Sequence, residues 1–227
     1  VHAPLVGPSS WSWVSAELKK RGHRVIVPDL TGVESTPDEP LSYCVRAATN
    51  SLDDVQEAIL VGHSGSGVLL PFIAHQLVSP PSRFLFVDAG LPPASGPMKL
   101  AQDDFHTFLT NLSDDRGMLK PWSQWWGEQV MESMVPDAGR RAIVESDIPR
   151  LPLRYYGARP SVPPGWSNSP CAYLRLSAGY SDDASDARSR GWPVQVMDAQ
   201  HLHMAVDPAA VATALEELSQ PGLRAWS

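Results

Sequence analysis

Residues 59–70 read Ile59-Leu60-Val61-Gly62-His63-Ser64-Gly65-Ser66-Gly67-Val68-Leu69-Leu70. An apolar run of strand type enters this stretch, small residues surround one serine, and an apolar run of helical type leaves it. Gly62 and Ser66, two residues either side of Ser64, carry little bulk, so the strand-to-helix turn can be tight enough to present the Ser64 hydroxyl as a nucleophile. The strict form of this motif has glycine where Ser66 stands; serine is small, and Gly67 follows at once. Backbone N–H groups from Gly65 onward, at the start of a helix, would face negative charge forming on a group that Ser64 attacks. A phosphate-binding turn is the competing reading, but neither G-x-G-x-x-G nor a Walker lysine is present.

Composition narrows the function classes. The 227 residues suffice for one domain with a sizeable core, and 43% hydrophobic with 19% charged residues describes a soluble globular chain. Eighteen Lys and Arg against 25 Asp and Glu give a net charge of −7, which argues against a nucleic-acid or anionic-membrane partner. No apolar run approaches the roughly 18 residues of a membrane span, and the start shows no signal-peptide pattern. The two cysteines, Cys44 and Cys171, are too few for a disulfide framework, so a reducing cytoplasm is the expected compartment.

Outward from the central stretch, strand and helix signals alternate. Val1 and His2 read as the end of a buried strand. Residues 11–22 read as a helix with Trp11, Val14 and Leu18 on one face, residues 24–27 as a short strand closed by Pro28, and 41–52 as a helix. Ala58 to Val61 is the strand into the turn, and 65–77 is a helix that Pro71 can kink. Residues 83–87 have the apolar run of a fully buried parallel strand. After a proline- and tryptophan-rich stretch, the sheet resumes at 172–176. A charged helix at 182–190, a strand at 193–197 and a last helix capped by Asp207-Pro208 complete the chain. Such alternation implies right-handed crossovers and a mostly parallel sheet. Within the stretch between, Trp122, Trp125 and Trp126 fall on one helical face; such a stripe is more often packing, so one or two of these rings should line a cavity.

In this order the chain resembles the α/β-hydrolase fold family. The resemblance is carried by the opening Val1-His2-Ala3-Pro4, by Gly22-His23-Arg24-Val25-Ile26-Val27-Pro28-Asp29-Leu30, by the central turn, and by Gln200-His201-Leu202-His203-Met204-Ala205-Val206-Asp207-Pro208. It implies a single α/β domain over 1–227, a mostly parallel sheet flanked by helices, and an inserted helical cap at about 92–170 over the active site.

A serine nucleophile needs a base within hydrogen-bond reach. Of His201 and His203, the resemblance favours His201, which leaves His203 as a pocket or packing residue. His63 cannot easily turn back onto its neighbour and is expected to line the pocket or to pack. The orienting carboxylate is absent from Leu176-Ser177-Ala178-Gly179-Tyr180, where the family commonly has it. Asp88, at the end of the strand beside the nucleophile's, is the leading candidate, as some family members place their acid there; Asp182 and Asp183 remain alternatives. One oxyanion donor should be the Gly65 N–H. The family's second falls on Pro4, which has no N–H, so Leu5 or Val6 must replace it, with Leu5 preferred.

The expected pocket residues are thus His63, Trp122, Trp126 and His203. No cofactor is implied, and His201-Leu202-His203 lacks a nearby third ligand for a metal. The chemistry implied is formation of an acyl-Ser64 intermediate from an ester or thioester of a small-molecule acyl substrate. Pro163-Pro164-Gly165-Trp166 and Gly191-Trp192-Pro193 resemble small hydrolase-like proteins of actinobacterial natural-product pathways. Some of those move an aromatic acyl group from a carrier-protein thioester, as in assembly of the nosiheptide side ring. That resemblance implies an acyltransferase or thioesterase with an acyl carrier protein as partner. A simple carboxylesterase, a lyase on the same scaffold and a binding protein with a decayed site are the alternatives.

Overall fold

The computed structural model describes residues 1–52 and 55–220; residues 53–54 and 221–227 of the expected domain lie outside them. In chain order the elements are α1 (Ser12–Lys20), α2 (Pro40–Asn50), β1 (Ile59–His63), α3 (Leu70–Gln76), β2 (Arg83–Val87), β3 (Gly96–Pro97), α4 (Asp103–Leu112) and α5 (Glu128–Met134). There follow α6 (Ala138–Ser146), α7 (Arg154–Gly157), β4 (Ser161–Val162), β5 (Cys171–Arg175), α8 (Ser181–Ser189), β6 (Val194–Val196) and α9 (Pro208–Ser219). The main sheet has the order β1-β2-β5-β6 with every pair parallel, as the alternation of signals implies. Helices flank it on both faces, and the fold is that of an α/β hydrolase.

Side-chain alternation along β2 divides the core. Phe84 and Phe86 join Leu30, Cys44, Leu70, Ile73 and Tyr173 on one face of the sheet. Leu85 and Val87 join Trp11, Val14, Leu174, Val211 and Leu215 on the other. Successive strand residues point to opposite faces, and a strand covered on both sides must be apolar throughout; all five residues of β2 are buried, with the Arg83 guanidinium donating to the Gln220 carbonyl at 3.1 Å.

Val1 runs beside β1, donating to the Val61 carbonyl at 2.6 Å and accepting from the His63 N–H at 3.2 Å, in keeping with its reading as a strand end. One expected strand is absent. Residues 24–28 form no strand; Val25, Ile26 and Val27 line, with Ile59, Leu60 and Val61 of β1, a cavity of about 870 Å³.

Between β2 and β5 the chain leaves the main sheet. Helices α4 to α7 and the antiparallel β3–β4 pair fill this stretch. The tryptophan run forms no helix of its own, only a single tight turn over Trp122–Gln124, with Pro121 before it and Gly127 at φ 89° after it. Among the described residues no helix is long and apolar enough to cross a membrane.

His2 ties the first loop to the segment after Pro28. Its Nδ1–H donates to the Ala3 carbonyl at 2.8 Å and its Nε2 accepts from the Leu30 N–H at 3.0 Å. Burial holds its pKa down to about 4, so the native imidazole is neutral while the unfolded chain's becomes charged below about pH 6.5. The native state then binds fewer protons than the unfolded one between these values. Unfolding free energy, measured by denaturant titration, is expected to fall as pH drops from about 6.5 towards 4. Stability that holds constant down to pH 4.5 would contradict this.

Candidate active site

β1 and β2 are in parallel register with His63 opposite Val87. Ser64 and Asp88 therefore stand side by side as the two strands end. Both have left-handed backbones, φ 56° for Ser64 and φ 44° for Asp88, and no other described non-glycine residue does. Each such residue costs about 1–2 kcal/mol, and strain of this kind concentrates at functional sites. The two turns brace each other: the Ser64 N–H donates to the Asp88 carbonyl at 3.1 Å and the Gly90 N–H to the Ser64 carbonyl at 3.3 Å.

The continuous helix expected over 65–77 is broken in two. A 3-10 stretch, Ser64–Leu69, precedes α3, because Pro71 has no N–H to give and fits only the first turn of an α-helix. Ser66 is more than a tolerated substitute for glycine. Its Oγ accepts the His63 N–H at 2.8 Å and lies 2.8 Å from both the Val1 and the His63 carbonyl oxygens, to either of which it can donate. The position that demands glycine is 67, where a Cβ would come within 2.5 Å of the Gly90 carbonyl oxygen.

Asp88 is fully buried. Its Oδ1 accepts from the backbone N–H groups of Leu176 and Ser177 at 2.8 and 2.9 Å, and its Oδ2 from the Ser177 hydroxyl at 2.6 Å and His201 Nδ1 at 2.7 Å. A buried carboxylate needs such partners to remain charged. The alternatives do not reach the histidine: Asp183, at the start of α8, accepts from the Leu91 N–H at 3.3 Å, and burial raises its pKa. Asp182 is beside it in the same first turn.

His201 is held on several sides. The His63 ring is 4.5 Å away, centre to centre, and its Nε2–H donates to the His201 carbonyl at 3.1 Å. Burial, then the neighbouring His201, hold the His63 pKa well below the ordinary value, so His63 is a neutral donor. On another side Tyr180 stacks on His201 at 5.1 Å and 8°. Sequence reasoning did not single out Tyr180. Its hydroxyl lies 3.0 Å from Ser64 Oγ, which makes no hydrogen bond to His201 in this structure. The signal available was position, since Tyr180 stands in the same loop after β5 where a carboxylate was sought.

Ser64, His201 and Tyr180 open onto a cavity of about 610 Å³. All three tryptophans line it, Trp122, Trp125 and Trp126, where one or two rings were expected, together with Leu100, Phe105, Tyr156 and Met134. His63 lines it as well. His203 does not: it belongs to the tight turn His203–Ala205 and is not part of the lining. Pro4 packs over Gly65, with its Cδ 3.6 Å from where a Gly65 Cβ would sit. The Val6 N–H is already bonded to the Ala3 carbonyl at 3.1 Å, whereas among the described residues the N–H groups of Leu5 and Gly65 donate to no other group of the protein, and both residues line the cavity.

Comparison with known proteins agrees with this fold. The family described as "Alpha/beta hydrolase family" matches residues 1–214. The chain belongs to that family. Among its relatives, a carbendazim hydrolyzing esterase from Nocardioides sp. (strain SG-4G) is 28% identical over 99 residues, which spans 40% of this chain and 41% of that protein. An extracellular α/β-hydrolase from a Paenibacillus species superposes with a TM-score of 0.77 at 15% identity, covering 96% of each chain. A serine variant of the pyrethroid hydrolase PytH superposes at 0.72 with 19% identity over 96% of this chain and 95% of its own. Such distant structures share the α/β-hydrolase fold.

This α/β hydrolase has serine where the strict motif has glycine, so Ser66→Gly is expected to destabilise it by about 1–2 kcal/mol through loss of the buried hydrogen bonds of the Ser66 hydroxyl. Denaturant unfolding of the two proteins measures the difference. Equal or higher stability of the variant would show that the Ser66 hydroxyl carries no such role.

Proposed function

We propose that this α/β hydrolase is an acyl-transfer enzyme in which Ser64 is the nucleophile, His201 the general base and acid, and Asp88 the orienting carboxylate. The observation that carries the reading is the bond from Asp88 Oδ2 to His201 Nδ1 at 2.7 Å, beside the strained Ser64, on one apolar cavity. Asp88 fixes the tautomer that leaves His201 Nε2 free to take a proton, and its charge stabilises the imidazolium that results. Ser64 Oγ must turn from Tyr180 toward Nε2 to react; such bonds commonly tighten only when substrate is bound.

Attack on an ester or thioester carbonyl gives a tetrahedral oxyanion, for which the N–H groups of Gly65 and Leu5 are the available donors. Its collapse expels the alcohol or thiol, protonated by His201, and leaves acyl-Ser64. Hydrolysis by water then makes the protein an esterase or thioesterase, a reading in keeping with relatives named as esterases and hydrolases. The inserted residues between β2 and β5 act as a cap, and their tryptophans select an aromatic or apolar acyl group.

A second reading is favoured by the cavity's lining, which holds few polar groups to order water around acyl-Ser64. In it the acyl group arrives as a carrier-protein thioester and passes to a hydroxyl, thiol or amine, as in natural-product assembly. A cytoplasmic site of action accompanies both readings, since Cys44 and Cys171 are free thiols.

Hydrolysis of aryl and alkyl esters and thioesters tests the assignment of roles. Asp88→Asn is expected to lower kcat by about 10³–10⁴, while Asp183→Asn, which alters a carboxylate that makes no bond to His201, stays within about threefold. The reverse ranking would move the carboxylate to α8 and overturn the assignment.

A further inference from the structure

Among the described residues Tyr180 is the one side chain that bonds Ser64 Oγ, and its placement has a chemical use. Its ring lies flat against His201, 5.1 Å between centres, so the hydroxyl and the imidazole approach Ser64 Oγ from the same side. Burial pushes the phenol up to about 12, with the Ser64 bond opposing; at neutral pH the hydroxyl keeps its proton and acts as a donor. The Gly65 and Leu5 N–H groups, by contrast, belong to the turn and to the first loop, apart from the residues that hold Tyr180.

Once Ser64 is acylated, its Oγ becomes an ester oxygen, a poor acceptor, and the Tyr180 hydroxyl loses its protein partner. The hydroxyl then faces only the cavity and can donate to whatever occupies it. The heteroatom next to it at that moment is the leaving group's, and later the acceptor's, because either must reach His201 to exchange a proton. We propose that Tyr180 is a catalytic residue whose hydroxyl donates a hydrogen bond to the leaving-group heteroatom of the acyl donor and then to that of the acyl acceptor.

The proton balance is simple. As the tetrahedral intermediate breaks its bond to the leaving oxygen or sulfur, His201 Nε2 delivers its proton there and returns to the neutral state. Tyr180 keeps its proton and contributes only the hydrogen bond, which strengthens as negative charge grows on the departing atom. Its value is therefore greatest for leaving groups that carry charge badly.

This inference rests on the acyl-enzyme reading above, and the test separates the two. Phenylacetyl esters of nitrophenol, trifluoroethanol and methanol keep the acyl group constant while the leaving group worsens. Tyr180→Phe, which retains the ring on His201, is expected to lower kcat/KM by about threefold for the nitrophenyl ester and about 100-fold for the methyl ester, the scale of one lost donor. Losses equal across the series, or no loss, in a variant that still acylates Ser64 would overturn the role of Tyr180 alone. A wild type that turns these esters over without acylating Ser64 would overturn both.

Discussion

The parallel register of β1 and β2 is the constraint on which the site depends. His63 faces Val87, so the next residue on each strand, Ser64 on one and Asp88 on the other, leaves the sheet beside its counterpart. Neither could do so in an ordinary strand conformation, because the next side chain would turn back toward a core face. The left-handed backbones of Ser64 and Asp88 aim both groups out of the strand ends, and the hydrogen bonds between their turns hold that strain in place. A one-residue slip of the register would send the Asp88 carboxylate into the apolar layer formed by Phe84 and Phe86 or Leu85 and Val87.

The sheet order supplies what a buried charge requires. β5 is the next strand after β2, and its end at Leu176 and Ser177 provides three of the four hydrogen bonds to Asp88. His201 provides the fourth. The loop after β5 thereby anchors the acid from its first residues and delivers Tyr180 to the nucleophile a few residues on. That division of labour accounts for a loop with no carboxylate of its own in the stretch 176–180.

Much of this was legible in the sequence because it rests on local chemistry. The turn at Ser64 follows from small residues between an apolar strand and a helix, and the buried strand 83–87 from an unbroken apolar run. Asp88 stands where that strand ends, and the resemblance to the α/β-hydrolase family favours His201. Features that depend on distant contacts were not legible. Residues 24–27 have a strand's composition, yet they pair with no strand. His203 and His201 are equivalent by type, and only the turn of the chain separates them. Trp125 enters the cavity lining beside Trp122 and Trp126 because a proline and a glycine break the helix that its spacing suggests. Tyr180 carries no motif, and its significance arises from a stacked ring and a 3.0 Å contact across 116 residues of chain.

The central claim is that chemistry passes through a covalent bond to Ser64 Oγ, and intact-mass spectrometry tests it most directly. The protein is mixed with aryl and alkyl thioesters, quenched with acid at millisecond to minute intervals, and weighed beside Ser64→Ala. The account predicts a mass gain equal to the acyl group on the wild type, absent from the variant, and longest lived for the aromatic acyl group the tryptophan-lined cavity retains best. Substrate loss that continues undiminished in Ser64→Ala, or the same adduct on Ser64→Ala, would contradict it.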